Sequence, residues 1–131
     1  MITRANSFSH LLYIWLPPII WMALIFVASS RPGTSYPDLG SLDFAAKKSA
    51  HLLLYAVLYM LLVRAFSTLT WTGRTPRRTY LLSVCVAILY AISDEVHQTF
   101  VPAREGTFRD VCIDSLGVLL ASLFLRWRGH R

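Results

Sequence analysis

Charge is scarce in this sequence: Asp, Glu, Lys and Arg make up 15% of it, against about 25% in an ordinary soluble domain. With 55% hydrophobic residues in a chain of 131 and a mean hydropathy of +0.49, that shortage excludes a conventional water-soluble domain and makes a one-domain membrane protein the default. Cysteine is nearly absent too. Cys85 sits inside an apolar run and Cys112 near the start of another, so the two thiols lie at different depths. A disulfide needs α-carbons within about 7 Å, so no bridge is expected. The sequence also lacks zinc-finger spacing, a basic helix and an RNA-binding signature, which excludes nucleic acid as a partner. No HExxH is present, and Ser29, Ser30 and Ser93 stand in no serine elbow, so neither metal chemistry nor a serine nucleophile is expected, and no cofactor is called for.

What is present is apolar sequence in four runs: Leu11 to Ala28, Leu52 to Val63, Tyr80 to Ile92 and Val111 to Leu125. A span requires about 20 residues, so the last three must carry polar residues into the interface, and Thr79 to Gln98 makes a full third span. The resulting fold is all-α, a polytopic bundle of about four transmembrane helices forming a single domain over residues 1–131. Arg4 ahead of the first run and the small residues at its end also match a cleaved signal peptide. The run is long for that, and with Trp15, Pro17, Pro18 and Trp21 inside it a retained helix, bent at the proline pair, is the preferred reading. Trp15, Trp21, Trp71 and Trp127 suit interfacial anchoring or helix packing.

The charges set the orientation. Arg64, Arg74, Arg77 and Arg78 lie between the second and third runs with no acid, and Arg126, Arg128 and Arg131 follow the fourth. By the positive-inside rule these ends, and the N-terminus with Arg4, are cytoplasmic. All seven acids fall on the opposite side, with Arg31, Lys47, Lys48, Arg104 and Arg109. The net charge of +6 is then an inner basic rim facing anionic lipid. The expected location is a bacterial inner membrane, with both termini in the cytoplasm.

At the acidic end, helical spacing sorts the polar residues into three stripes: Lys48, His51 and Tyr55; Tyr90, Asp94, His97 and Gln98; Asp110, Asp114 and Gly117. Ionisable groups at membrane depth face the bundle interior, so the stripes are expected to meet. Asp94 and Glu95 lie at a helix C-terminal end, where the macrodipole disfavours a carboxylate. They call for cations, and Lys47, Lys48, Arg104 and Arg109 are in reach. Val101-Pro102 ends the third helix, Gly106 permits a tight turn, and Thr107 with Asp110 reads as a capping box opening the fourth. That helix start, with two guanidinium groups beside it, suits phosphate or carboxylate.

Ser29-Ser30, the Lys48, His51, Tyr55 stripe, "DEVHQTFVPAREGTFRD" (residues 94–110) and the following Asp114 and Gly117 resemble the VanZ-like family of small bacterial membrane proteins, over nearly the whole chain. The chain departs from the family pattern in having Ala103 where Gly often precedes the arginine, and Asp114 where Asn is frequent. The resemblance implies a multi-span inner-membrane protein of a family named for resistance to the antibiotic teicoplanin.

The candidate ligand-binding residues are Lys48, His51, Tyr55, Asp94, Glu95, Gln98, Arg104, Arg109, Asp110 and Asp114. Three readings stay open. The first is an outward-facing pocket holding an anionic or zwitterionic lipid-linked envelope precursor or a glycopeptide-type ligand, beside the membrane lipids every span contacts. The second is an enzyme using Asp94 or Glu95 with His51 as acid and base. The third is a scaffold in which the same charges form a structural ion-pair network. A ligand set of His51 and His97 with Asp94 and Asp114 is conceivable, but its spacing matches no dense metal motif.

Overall fold

The computed structural model describes residues 4–33, 40–69 and 77–129. It contains four helices: α1 (Arg4–Ser29), α2 (Ser41–Ser67), α3 (Arg77–Gln98) and α4 (Phe108–Gly129). No strand occurs among the described residues. Ser9–Ser29, Phe44–Ser67 and Arg77–Gln98 are long and apolar enough to cross a membrane. At 22 residues, α4 is about 33 Å long, the thickness of a bilayer core. It carries Asp110 and Asp114 on a buried face. Each helix outruns its apolar core by a polar turn or more. The second is the extreme case, because Lys47, Lys48 and His51 are helical residues placed ahead of the apolar run.

The helix order is up-down, so the C-terminal ends of α1 and α3 meet the N-terminal ends of α2 and α4 at one end of the bundle. Arg64, Arg77, Arg78, Arg126 and Arg128 fall at the other end. Charge is therefore segregated as the sequence implies, while Asp38, Trp71, Arg74 and Arg131 lie outside the described residues. In the centre, α2 packs on the other three helices and most extensively on α4; α1 packs on α2 and α3, and among the described residues its backbone makes no close approach to α4.

The core is Tyr55, Leu58, Tyr59 and Leu62 of α2 against Ile25, Ala87, Ala91, Val118 and Ala121. Hydrocarbon is as apolar as these side chains, so close packing of small residues, more than exclusion of water, holds such helices together. At Gly117 α4 closes onto the α2 backbone: a Cβ there would collide with the Leu52 backbone carbonyl. Outward faces are apolar, with Leu53 62% and Leu89 65% exposed, as a lipid-facing surface requires. Cys85 is on this outer surface as well.

Pro17 and Pro18 stay inside a continuous α1, and Pro18 is fully buried. Trp21 Nε1 donates to the Leu54 carbonyl at 2.9 Å and Tyr90 Oη to the Met22 carbonyl at 2.6 Å. Both bonds anchor α1 midway along its length. Trp15 meets Phe66 edge-on at 5.2 Å, a contact that packs α1 on α2.

Candidate functional site

The three stripes do meet. Asp94, Glu95, Gln98, Asp110, Asp114 and Tyr55 are all buried, a concentration of polar groups that membrane depth tolerates only where they satisfy one another. One carboxylate oxygen of Asp94 collects three helices: Ser29 Oγ donates to Oδ2 at 3.0 Å, Tyr55 Oη at 3.3 Å and Gln98 Nε2 at 3.4 Å. The same amide nitrogen reaches Glu95 Oε1 at 3.2 Å. Lys48 pairs with Asp110, and His51 Nδ1 lies 3.2 Å from Asp114 Oδ1. Each helix of the bundle contributes to this layer.

The entry to α4 explains why Glu95 is drawn inward. Thr107 precedes the first helical residue, and its Oγ1 accepts the Asp110 amide at 3.3 Å, which is the N-cap half of a capping box. In the usual box the third helical residue returns to the cap amide. Here the Thr107 amide donates to Glu95 Oε2 at 3.0 Å, so an acid of α3 completes the cap. Asp110 is thereby released to hold Lys48. Gly106 permits this approach, since a Cβ would strike the Glu95 carbonyl.

The cations are placed differently from expectation. Among the described residues Arg104 pairs with no acid: its Nε donates to the Arg31 carbonyl at 2.8 Å, Nη2 to the Ala28 carbonyl at 3.2 Å and Nη1 to Gln98 Oε1 at 3.3 Å. A planar fork matches three acceptors at once; the Ala28 carbonyl belongs to the last turn of α1 and also accepts the Arg31 amide at 3.4 Å, while the Arg31 carbonyl lies just beyond the helix. The Gly33 amide adds a bond to the Pro102 carbonyl at 3.2 Å, so the hairpin clasps the end of α1. Arg109 is mostly exposed, 4.0 Å from Asp110 and over the Phe44 ring. Among the described residues no ion pair reaches Asp94 or Glu95, and Asp94 Oδ1 and Asp114 Oδ2 are buried without a hydrogen-bond partner. His97 also leaves its stripe, stacking on Phe26 at 4.5 Å with its Nε2 3.0 Å from Ser30 Oγ.

Beside this layer a cleft of about 650 Å³ opens between α1, α2 and the α3–α4 hairpin. Lys48, His51, Gln98, Arg104 and Asp110 face it from the expected set. Ser29, Arg31, Lys47 and Glu105 join them, with an apolar wall that includes Leu24, Val27 and Leu54. Tyr55, Asp94, Glu95 and Asp114 lie beneath or beside this lining rather than on it. The contribution of α1 was not marked as part of the site, because its wall residues look in sequence like any lipid-facing positions. Ser29 was visible only as part of the Ser29-Ser30 pair.

Comparison with known proteins places this arrangement. No curated protein and no solved structure matches the chain. The family model of VanZ/LLP1 matches residues 14–128, from the middle of α1 to the last turn of α4, and so includes every residue of the buried polar layer. The chain belongs to the VanZ/LLP1 family.

Proposed function

We propose that the protein binds an amphiphile with a phosphate-bearing headgroup in the cleft between α1 and α2, on the outer side of a bacterial cytoplasmic membrane. The observation that carries this reading is the make-up of the cleft's lining: Arg31, Lys47, Lys48 and Arg104 outnumber the acids Glu105 and Asp110, and Leu24, Val27 and Leu54 give it an apolar wall. A hydrophilic ligand has no use for the wall, and a neutral lipid has none for a surplus of cations. An envelope precursor whose pyrophosphate joins a polyprenyl chain to a hydrophilic unit fits both, and the family's association with teicoplanin resistance points to the same material. A glycopeptide-type ligand would use the polar part of the lining alone.

The His51–Asp114 pair at 3.2 Å, with Glu95 buried beside it, favours a second reading in which the same headgroup is processed by acid and base chemistry. The test is a binding titration of the detergent-purified protein with a short polyprenyl pyrophosphate and with the matching polyprenyl alcohol. Two charge-assisted contacts at the headgroup correspond to a preference of about tenfold or more for the pyrophosphate. Leu24→Trp, which fills the apolar wall, should weaken both ligands. Equal affinity for alcohol and pyrophosphate would sink the headgroup reading, and phosphate release during the titration would favour the second.

A further inference from the structure

We propose that His51, Glu95 and Asp114 form a binding site for one divalent first-row transition cation of the zinc or manganese type, an inference that stands whatever the cleft binds. One ligand atom from each of the three residues lies within 4.8 Å of the other two. The side chains come from α2, α3 and α4 respectively, so packed helices fix their positions rather than a loop.

The separations suit a metal polyhedron. Bonds of about 2.0 to 2.1 Å around a tetrahedral ion put neighbouring donors about 3.3 to 3.4 Å apart. The His51 Nδ1–Asp114 Oδ1 separation is 3.2 Å, already an edge of that size. Only the Glu95 oxygen has to close in. Its two oxygens accept from Gln98 Nε2 and the Thr107 amide, and each carboxylate oxygen keeps a second lone pair for an ion.

An independent observation points the same way. Asp114 is fully buried, yet its Oδ2 has no hydrogen-bond partner among the described residues. Buried carboxylate oxygens are almost always satisfied, and at membrane depth an uncompensated charge is costly. Arg104 turns to backbone carbonyls and Lys48 to Asp110, and neither meets this need. A divalent cation meets it with a single group. One imidazole and two carboxylates select a borderline ion such as Zn²⁺ or Mn²⁺, with no thiolate to favour a softer one. Three protein ligands leave a coordination position open, and His51 faces the cleft, so that position is reached from it.

The sequence concealed this site because its ligands stand 44 and 19 positions apart along the chain (95 minus 51, 114 minus 95). His97, the other histidine considered, turns to Phe26 and Ser30 instead.

The test uses the detergent-purified chain, stripped with a chelator and titrated calorimetrically with Zn²⁺ and Mn²⁺, with bound metal counted by mass spectrometry. One equivalent should bind per chain. His51→Gln and Asp114→Asn should each weaken it by at least about tenfold, and His97→Gln should leave it unchanged. X-ray absorption of the zinc-loaded parent gives a readout that needs no variant, and should show one imidazole among oxygen donors. A parent that takes up no ion, a loss in His97→Gln equal to that in His51→Gln, or an absorption spectrum without imidazole would overturn the site. In the first case the acids are neutralised by protons.

Discussion

Replacing Arg104 with lysine keeps the charge and removes the fork, and the geometry predicts a loss of stability. The guanidinium makes three bonds, to the Arg31 and Ala28 carbonyls and to Gln98 Oε1. An ammonium on a shorter stem can keep one of them. Net hydrogen bonds contribute about 0.5 to 1.5 kcal/mol each, more to charged groups and less where water competes. Arg104 is only partly buried, so losing two bonds should cost about 2 kcal/mol. For a chain of this size that corresponds to a fall in melting temperature of about 6 to 10 °C. The measurement is thermal unfolding in detergent followed by tryptophan fluorescence, with Trp21 reporting on the α1–α2 contact. Arg104→Gln should fall at least as far. A lysine variant that melts with the parent would show that the fork does not clasp α1.

Further outcomes follow from the packing and the turn. Gly117→Ala pushes α4 off the Leu52 carbonyl and should destabilise by about 1 to 3 kcal/mol, read as a lower melting temperature with reduced yield from the membrane. Ala103 has φ +56°, a left-handed conformation that costs a residue with a Cβ about 1 to 2 kcal/mol, so Ala103→Gly should raise stability by up to about 1 kcal/mol once the entropy of glycine is set against it. In a Cys85→Ser, Cys112→Ser background, Glu105→Cys should label from outside intact cells and Gly73→Cys should not. Labelling at Gly73→Cys would invert the orientation drawn from the arginines.

Helix number, the segregation of charge and the meeting of the stripes were legible because each follows from a local regularity. An apolar run marks a span, and side chains three and four positions apart, such as Lys48, His51 and Tyr55, share a face. The Thr107–Asp110 pattern likewise announced the start of α4. Pairing was not legible, since proximity in sequence does not say which acid a cation will choose. Arg104 is adjacent to the acids in the chain, yet its fork fits the Ala28 carbonyl in the last turn of α1 and the Arg31 carbonyl just beyond it, and Lys48 finds Asp110 instead of Asp94. Glu95 joining the cap of α4 depends on Gly106 allowing two backbones to close. The cleft was hidden for a different reason: Leu24 and Val27 differ in no way, as sequence, from their lipid-facing neighbours.

The most direct test of the polar cleft as a ligand site is native mass spectrometry of the protein extracted from its own membrane in mild detergent. The parent should carry a phosphate-bearing amphiphile at about one per chain, and Leu24→Trp, which fills the wall without touching the polar layer, should lose it while keeping the parent's melting temperature. If parent and variant instead retain the same mixture of bulk lipids in the same amounts, the cleft selects nothing, and the buried charges of Asp94, Glu95, Asp110 and Asp114 serve to hold the four helices together.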